Sequence, residues 1–188
     1  MPVRVGMVSL GCPKNLVDAE HMLYNLREEG YEIVADAALS DVVIVNTCGF
    51  IEAAKQEAIE TILEFCALKS EGRIRAVIVT GCLSERYRDE IRKEIPEVDA
   101  ALGIGANEHL GEVIRRVLEG EGVNLYGDKY SLIIDAKRII STQTYAYIKI
   151  AEGCDNCCTY CAIPSIRGRY RSRRLESVVA EAQWLAKV

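Results

Sequence analysis

Val42-Val43-Ile44-Val45-Asn46-Thr47-Cys48 and Ala76-Val77-Ile78-Val79-Thr80-Gly81-Cys82 follow one plan: four apolar residues, two small or polar ones, then a cysteine. A strand with one wet face alternates apolar and polar positions. The first four residues of each run are apolar without alternation, as in parallel strands covered on both faces. Working outward, Val3 to Leu10 reads as another strand, Tyr31 to Val34 as a short one and Val98 to Leu102 as a last. Helical patterns separate them. One has Leu16, Ala19, Leu23 and Leu26 on one face and ends at Gly30. A second, roughly Glu52 to Lys69, spaces Ile59, Ile62, Leu63 and Cys66 at i, i+3, i+4 and i+7. A third, Leu83 to Glu94, stops before Pro96, and a fourth lies around His109 to Leu118. This βα alternation predicts an α/β fold with a doubly wound parallel sheet.

That sheet domain is expected over residues 1–120. Residues 121–143 lack a clear period and contain Gly122, Gly127 and Asp128, so they read as a linker. A second domain starts in 144–188. Tyr145 to Ile150 alternates as a strand and runs into a cysteine-rich loop. A helix follows with Leu175, Val178, Val179, Ala182 and Leu185 on one face.

Of 188 residues, 49% are hydrophobic and 27% charged, the profile of a globular protein. No apolar run approaches the roughly 20 residues of a membrane span. Met1-Pro2-Val3-Arg4-Val5-Gly6 has no signal-peptide core, so a cytoplasmic protein without a membrane partner is expected. The net charge of −5 argues against nucleic acid as a direct substrate. It suits a basic protein partner, although such a balance is ordinary for soluble enzymes.

Eight cysteines in a reducing compartment point to metal or redox chemistry. Cys12, Cys48 and Cys82 each lie a residue or two past a predicted buried strand. Ligands of open α/β sheets gather beyond the carboxyl ends of the strands, so three cysteines distant in sequence can meet there. A helix after each would aim its N-terminal dipole at the site and favour thiolate. The plainer alternative is three buried cysteines at loop starts. Their shared position favours ligation.

Cys154, Cys158 and Cys161 sit on one loop. Three thiolates on a tight loop suit three corners of a four-iron, four-sulfur (4Fe–4S) cluster, and the fourth iron stays open. By analogy with zinc, an open position separates catalytic metal centres from structural ones. The competing pairs Cys154/Cys157 and Cys158/Cys161 overlap, whereas zinc ribbons separate their knuckles by roughly a dozen residues or more. Cys66 continues an apolar helical stripe and reads as core packing. Cys157 receives no role.

Gly153-Cys154-Asp155-Asn156-Cys157-Cys158-Thr159-Tyr160-Cys161 resembles the radical S-adenosylmethionine signature, with Tyr160 at its aromatic position. Ile163-Pro164-Ser165-Ile166-Arg167-Gly168 with Ser172-Arg173 is similar to the methylthiotransferase branch of that superfamily. Asn46-Thr47-Cys48 and Thr80-Gly81-Cys82 match the family's other N-terminal cysteines. Ser9-Leu10-Gly11-Cys12-Pro13-Lys14-Asn15-Leu16-Val17-Asp18 resembles the members that modify an aspartate on a small-subunit ribosomal protein. Pro13-Lys14-Asn15 stands where the tRNA-modifying members have Gln-Met-Asn.

The resemblance implies two 4Fe–4S clusters and S-adenosylmethionine as cofactors. Cys154, Cys158 and Cys161 would hold the cluster that donates an electron to S-adenosylmethionine, generating a radical that takes hydrogen from an unactivated carbon. Cys12, Cys48 and Cys82 would hold an auxiliary cluster involved in sulfur insertion. Tyr160 would pack near the adenine. A small-subunit ribosomal protein would be the substrate partner, with an outside electron donor. The family's radical domain is a barrel of several βα units followed by a β domain. One such unit is present here, so an incomplete enzyme, inactive alone, is expected. A non-catalytic iron–sulfur electron carrier and a zinc-binding module are the readings from other classes.

The remaining candidates are weaker. His21 and His109 read as surface or helix-end residues. Arg167, Arg169, Arg171, Arg173 and Arg174 form a basic run, either a solvated face or a set able to offset cluster charge and pair with carboxylates. Gly103-Ile104-Gly105 lacks the third glycine of a dinucleotide motif.

Overall fold

A computed structural model of the chain describes residues 1–130, 137–142 and 144–187. The strands β1 (Arg4–Ser9), β2 (Glu32–Val34), β3 (Val42–Thr47), β4 (Ala76–Gly81), β5 (Ala100–Leu102) and β6 (Val123–Leu125) form one sheet. Its order is β2-β1-β3-β4-β5-β6, and every pairing is parallel. The doubly wound parallel sheet read from the sequence is therefore present. Helices α1 (Pro13–Glu28), α2 (Glu52–Ser70), α3 (Cys82–Tyr87), α4 (Glu90–Glu94) and α5 (Leu110–Leu118) cover it.

The apolar run that opens each of β3 and β4 has a direct cause. Val42, Ile44, Ala76 and Ile78 point to one face and pack with Met22 and Leu26 of α1 and Val113 and Ile114 of α5. Val43, Val45, Val77 and Val79 point to the other and pack with Ala58, Ile62 and Phe65 of α2 and with Leu83 and Ile91. Each buried Val or Ile contributes roughly 1.5–3 kcal/mol relative to exposure, so neither face can become polar cheaply.

Elsewhere the structure differs from the sequence reading. In α2, Ala58, Ile62, Phe65 and Cys66 face inward, whereas Ile59 and Leu63 are exposed. The helix expected over Leu83 to Glu94 is two helices. Arg88 breaks it with φ 37°, in the left-handed region, while its guanidinium pairs with buried Glu85 and lies over the Tyr126 ring. A 3-10 turn (Ile104–His109) precedes α5. Strand β6 falls inside the stretch read as linker; three residues between glycines are too short to show a period. Residues 131–136 and 143 of that stretch lie outside the described residues.

The C-terminal segment packs against α1. It contains α6 (Ile163–Arg167), α7 (Leu175–Leu185), and the antiparallel pair β7 (Ala151–Glu152) and β8 (Arg171–Ser172). Tyr145 to Ile150 was expected as a strand, yet only Ala151 and Glu152 beyond it pair as one. The carbonyls of Tyr147 and Lys149 instead accept from the side chains of Arg138 and Arg173. The helix read from the apolar stripe is α7, though none of its residues is buried and Leu175 is 73% exposed. Among the described residues no helix is long and apolar enough to cross a membrane.

Candidate metal centres at the strand ends and on the cysteine loop

The chain enters the sheet at β1, places β2 on one side and β3 on the other, and so reverses direction between β1 and β3. Such a switch point opens a crevice at the carboxyl ends of the strands. Cys12 follows β1 and Cys48 follows β3, straddling that point, and Cys82 follows the adjacent β4.

Backbone and amide contacts draw these ends together. Leu10 N donates to Asn46 O at 2.8 Å. Asn15 Nδ2 donates to Leu10 O at 2.9 Å and Thr47 O at 3.0 Å, while Asn46 Nδ2 donates to Asn15 O at 2.9 Å. Thr47 Oγ1 donates to Thr80 O at 2.6 Å, tying β3 to β4. A Cβ on Gly11 would lie 2.9 Å from Cys48 Cβ and 3.4 Å from its Sγ. Gly81, at φ 94°, leaves no room for a Cβ beside Thr47 O and Asn46 Oδ1.

Cys12 is exposed, Cys48 half-buried and Cys82 buried. Cys12 caps α1, and Cys82 opens the short α3. The expectation of a helix N-terminus at every cysteine fails at Cys48, because Gly49-Phe50-Ile51 separates it from α2.

The main charge at the crevice comes from the basic run. Arg167 is 2% exposed. Its Nη1 donates to Asp18 Oδ2 at 2.7 Å and Glu152 Oε2 at 3.0 Å. Its Nη2 donates to Asn15 Oδ1 at 3.2 Å and reaches Cys82 Sγ at 3.4 Å. Lys149 completes the network with Asp18 and with Glu152 at 3.1 Å. Lys14 Nζ reaches Glu152 Oε1 at 3.3 Å and Ala151 O at 3.0 Å.

Burial alone would raise the Asp18 and Glu152 carboxyls. Arg167 and Lys149 outweigh it and hold both below the usual carboxylate range. Burial pushes the Cys82 thiol up, against the pull of Arg167. Burial works against the Arg167 cation, but Asp18, Cys82 and Glu152 keep it firmly charged.

The basic run is thus not a solvated face as a whole. Arg171 lies 5.2 Å from the Tyr130 ring centroid and donates to Lys129 O at 2.9 Å. Arg173 pairs with Glu181. Arg169 and Arg174 are exposed.

The loop of the second set turns tightly. Gly153 takes φ 71°, Cys154 N donates to Gly168 O at 3.1 Å, and Asn156 N points to Cys154 Sγ at 3.4 Å. Cys154 and Cys161 are half-buried, while Cys157 and Cys158 are exposed. Tyr160 is 87% exposed. Cys66 packs in the core as read. His21, read as a surface residue, is instead buried, with Nδ1 3.2 Å from Lys137 O.

Among the described residues no three His, Cys, Asp or Glu side chains are grouped to hold a single metal ion. A cluster asks for something different: one thiolate per iron at separate corners of a cube. The donor chemistry of both sets fits such a group, being soft thiolate throughout. The strand-end set adds a fixed cation and a buried acceptor, Asn46 Oδ1, without a partner among the described residues.

Sequence reasoning missed Asn15, Asp18, Lys149 and Glu152, and left Arg167 undecided. The available signal was that Asn15, Asp18 and Arg167 fall within the two motifs quoted for the family resemblance.

Residues 4–103 match the profile of a family described as "Uncharacterized protein family UPF0004". Among curated proteins, the "Ribosomal protein uS12 methylthiotransferase RimO" of Clostridioides difficile (strain 630) is 48% identical over 187 residues. The proteins of that name from Pelotomaculum thermopropionicum and Geobacter sulfurreducens are 50% and 52% identical. The alignments cover 97–99% of this chain but 41–42% of those relatives. The chain therefore spans less than half their length.

Proposed function

The chain belongs to uncharacterized protein family UPF0004, and on that premise we propose that it is the cluster-bearing part of a methylthiotransferase acting on an aspartate of a small-subunit ribosomal protein. One observation carries the reading. Of two all-cysteine sets, one at adjacent strand ends and one on a loop, the segment that carries the loop set sends Arg167 to the strand-end set, where it reaches Cys82 at 3.4 Å.

In this reading Cys12, Cys48 and Cys82 hold one 4Fe–4S cluster, and Cys154, Cys158 and Cys161 hold another with an iron left for S-adenosylmethionine. When bound, these groups supply the one-electron chemistry, the hydrogen abstraction and the sulfur and methyl that acid–base side chains cannot. The chain's own residues do the positioning. Asn15 and Asn46 fix the strand ends that present the strand-end cysteines. Asp18 and Glu152, themselves paired with Lys149, hold Arg167 so that a charge of fixed sign faces Cys82. Tyr160 offers an uncovered ring to an adenine face. Electrons come from an outside donor, and the cytoplasm is the compartment that keeps eight thiols reduced.

Anaerobic reconstitution tests this. About eight irons per chain and an absorption spectrum altered by S-adenosylmethionine are expected, since two four-iron clusters require that count. A colourless protein with two zinc ions would overturn it. Mass spectrometry of ribosomal protein uS12 and of tRNA, from cells with and without the gene, identifies the substrate. A methylthio group lost only from tRNA would reassign the chain to tRNA modification.

A further inference from the structure

Arg167 is anchored on the cysteine-loop side of the molecule yet ends at the strand-end site. It closes α6, directly after the loop of Cys154 to Cys161, and its guanidinium is enclosed by Asp18 and Asn15 of α1, Glu152 of β7 and Cys82 of α3. All of these apart from the cysteine accept hydrogen bonds through oxygen. Nη1 serves the two carboxylates, and the Cys82 contact is made by Nη2, which also donates to Asn15 Oδ1. A planar fork held on three sides cannot swing away from the sulfur. Of the basic run, Arg167 alone makes a described contact with a cysteine sulfur.

We propose that Arg167 is a positioning residue shared by the two cysteine sites, carrying a fixed positive charge to Cys82 and raising the reduction potential of the cluster that Cys82 helps to hold. The inference rests on the cluster reading above. It adds that a residue of the loop segment, not of the strand-end domain, sets the electronic character of the strand-end centre. A buried cation beside a cluster favours its reduced, more negative state, because little water screens the charge.

The experiment uses the 188-residue chain carrying Cys154→Ala, Cys158→Ala and Cys161→Ala, so that only the strand-end set can load. After anaerobic reconstitution, the midpoint potential is read by electron paramagnetic resonance during a dithionite titration. Arg167→Gln is expected to shift the potential down, Arg167→Lys to recover part of it, and Glu152→Gln, which removes a neighbouring anion, to shift it up. Opposite signs follow from charge. A purely structural role would loosen the site alike in all three variants and move them in one direction.

Equal potentials in the parent, Arg167→Gln and Arg167→Lys would overturn the inference while leaving the function intact. If Arg167→Gln does not fold, the opposite signs of Arg167→Lys and Glu152→Gln decide in its place. A parent chain that takes up no iron at the strand-end set overturns the cluster reading, and this inference with it.

Discussion

Asp18→Ala should be among the costliest substitutions in α1. Asp18 keeps 4% of its side-chain area exposed and accepts from Lys149 and from Arg167, whose side chains are 5% and 3% exposed. Two buried anions, Asp18 and Glu152, face two buried cations, with the more exposed Lys14 at the edge. Deleting Asp18 leaves two buried cations on one carboxylate. Breaking a buried pair in this way costs about 3–5 kcal/mol, against roughly 0–1 kcal/mol for a surface pair.

For a domain of this size, about 3–5 kcal/mol lowers the melting temperature by roughly 6–20 °C. Urea unfolding of the metal-free chain at neutral pH measures it. The partner substitution Arg167→Met, combined with Asp18→Ala, should recover part of the loss, because no unpaired cation then remains. A cost below about 1 kcal/mol, or a double variant whose losses simply add, would refute the network.

The same network fixes a pH dependence. Asp18 and Glu152 titrate below the usual range in the folded state. The stability they contribute is full above the unfolded carboxylate value of about 4 and is lost as pH falls through the lower folded values. Asp18→Ala should flatten that acid limb.

Three further outcomes are expected. Burial pushes the Cys66 thiol up to about 11, so iodoacetamide at mildly alkaline pH should leave Cys66 unmodified in the folded, metal-free chain while exposed Cys157 and Cys158 react. Peptide mapping that finds Cys66 labelled as fast as Cys157 would contradict its placement in the core. Gly81→Ala places a Cβ 2.7 Å from Asn46 Oδ1 at φ 94°. It should cost more than the roughly 1–2 kcal/mol of left-handed strain alone and lower iron uptake by the strand-end set, both measurable on one preparation. Ile44→Ala, at a fully buried position of β3, should lose about 2–5 kcal/mol in a urea titration.

The sheet was legible because β3 and β4 each begin with four consecutive apolar residues, which few other environments require. The three strand-end cysteines were legible for the same reason: once the strands are fixed, their ends are fixed. The polar face of α1 was not. Asp18 and His21 fall off the apolar stripe by helical period, Glu20 is a charge beside it, and what buries all three lies far along the chain. Arg138 and Ser141 cover Glu20, Lys137 covers His21, and Lys149 and Arg167 cover Asp18. Pairing between charges 100 or more residues apart leaves no periodic trace. Strand β6 escaped because its three residues take their place from β5, and the break at Arg88 escaped because the ring its guanidinium lies over, Tyr126, is far along the chain.

The two cysteine sets also differ in when they come into being. The loop set spans eight consecutive residues and exists wherever that stretch of chain is accessible. The strand-end set draws on residues 12, 48 and 82, each delivered by a different parallel strand, so it has no local precursor. Its thiols meet only after β1, β3 and β4 have paired in register, the slow, long-range part of folding a parallel sheet. On the cluster reading proposed above, loading of the strand-end set would be conditional on a correctly assembled sheet, and a filled site would in turn lock that assembly. Cofactor insertion there would act as a checkpoint on the fold, whereas at the loop it would not.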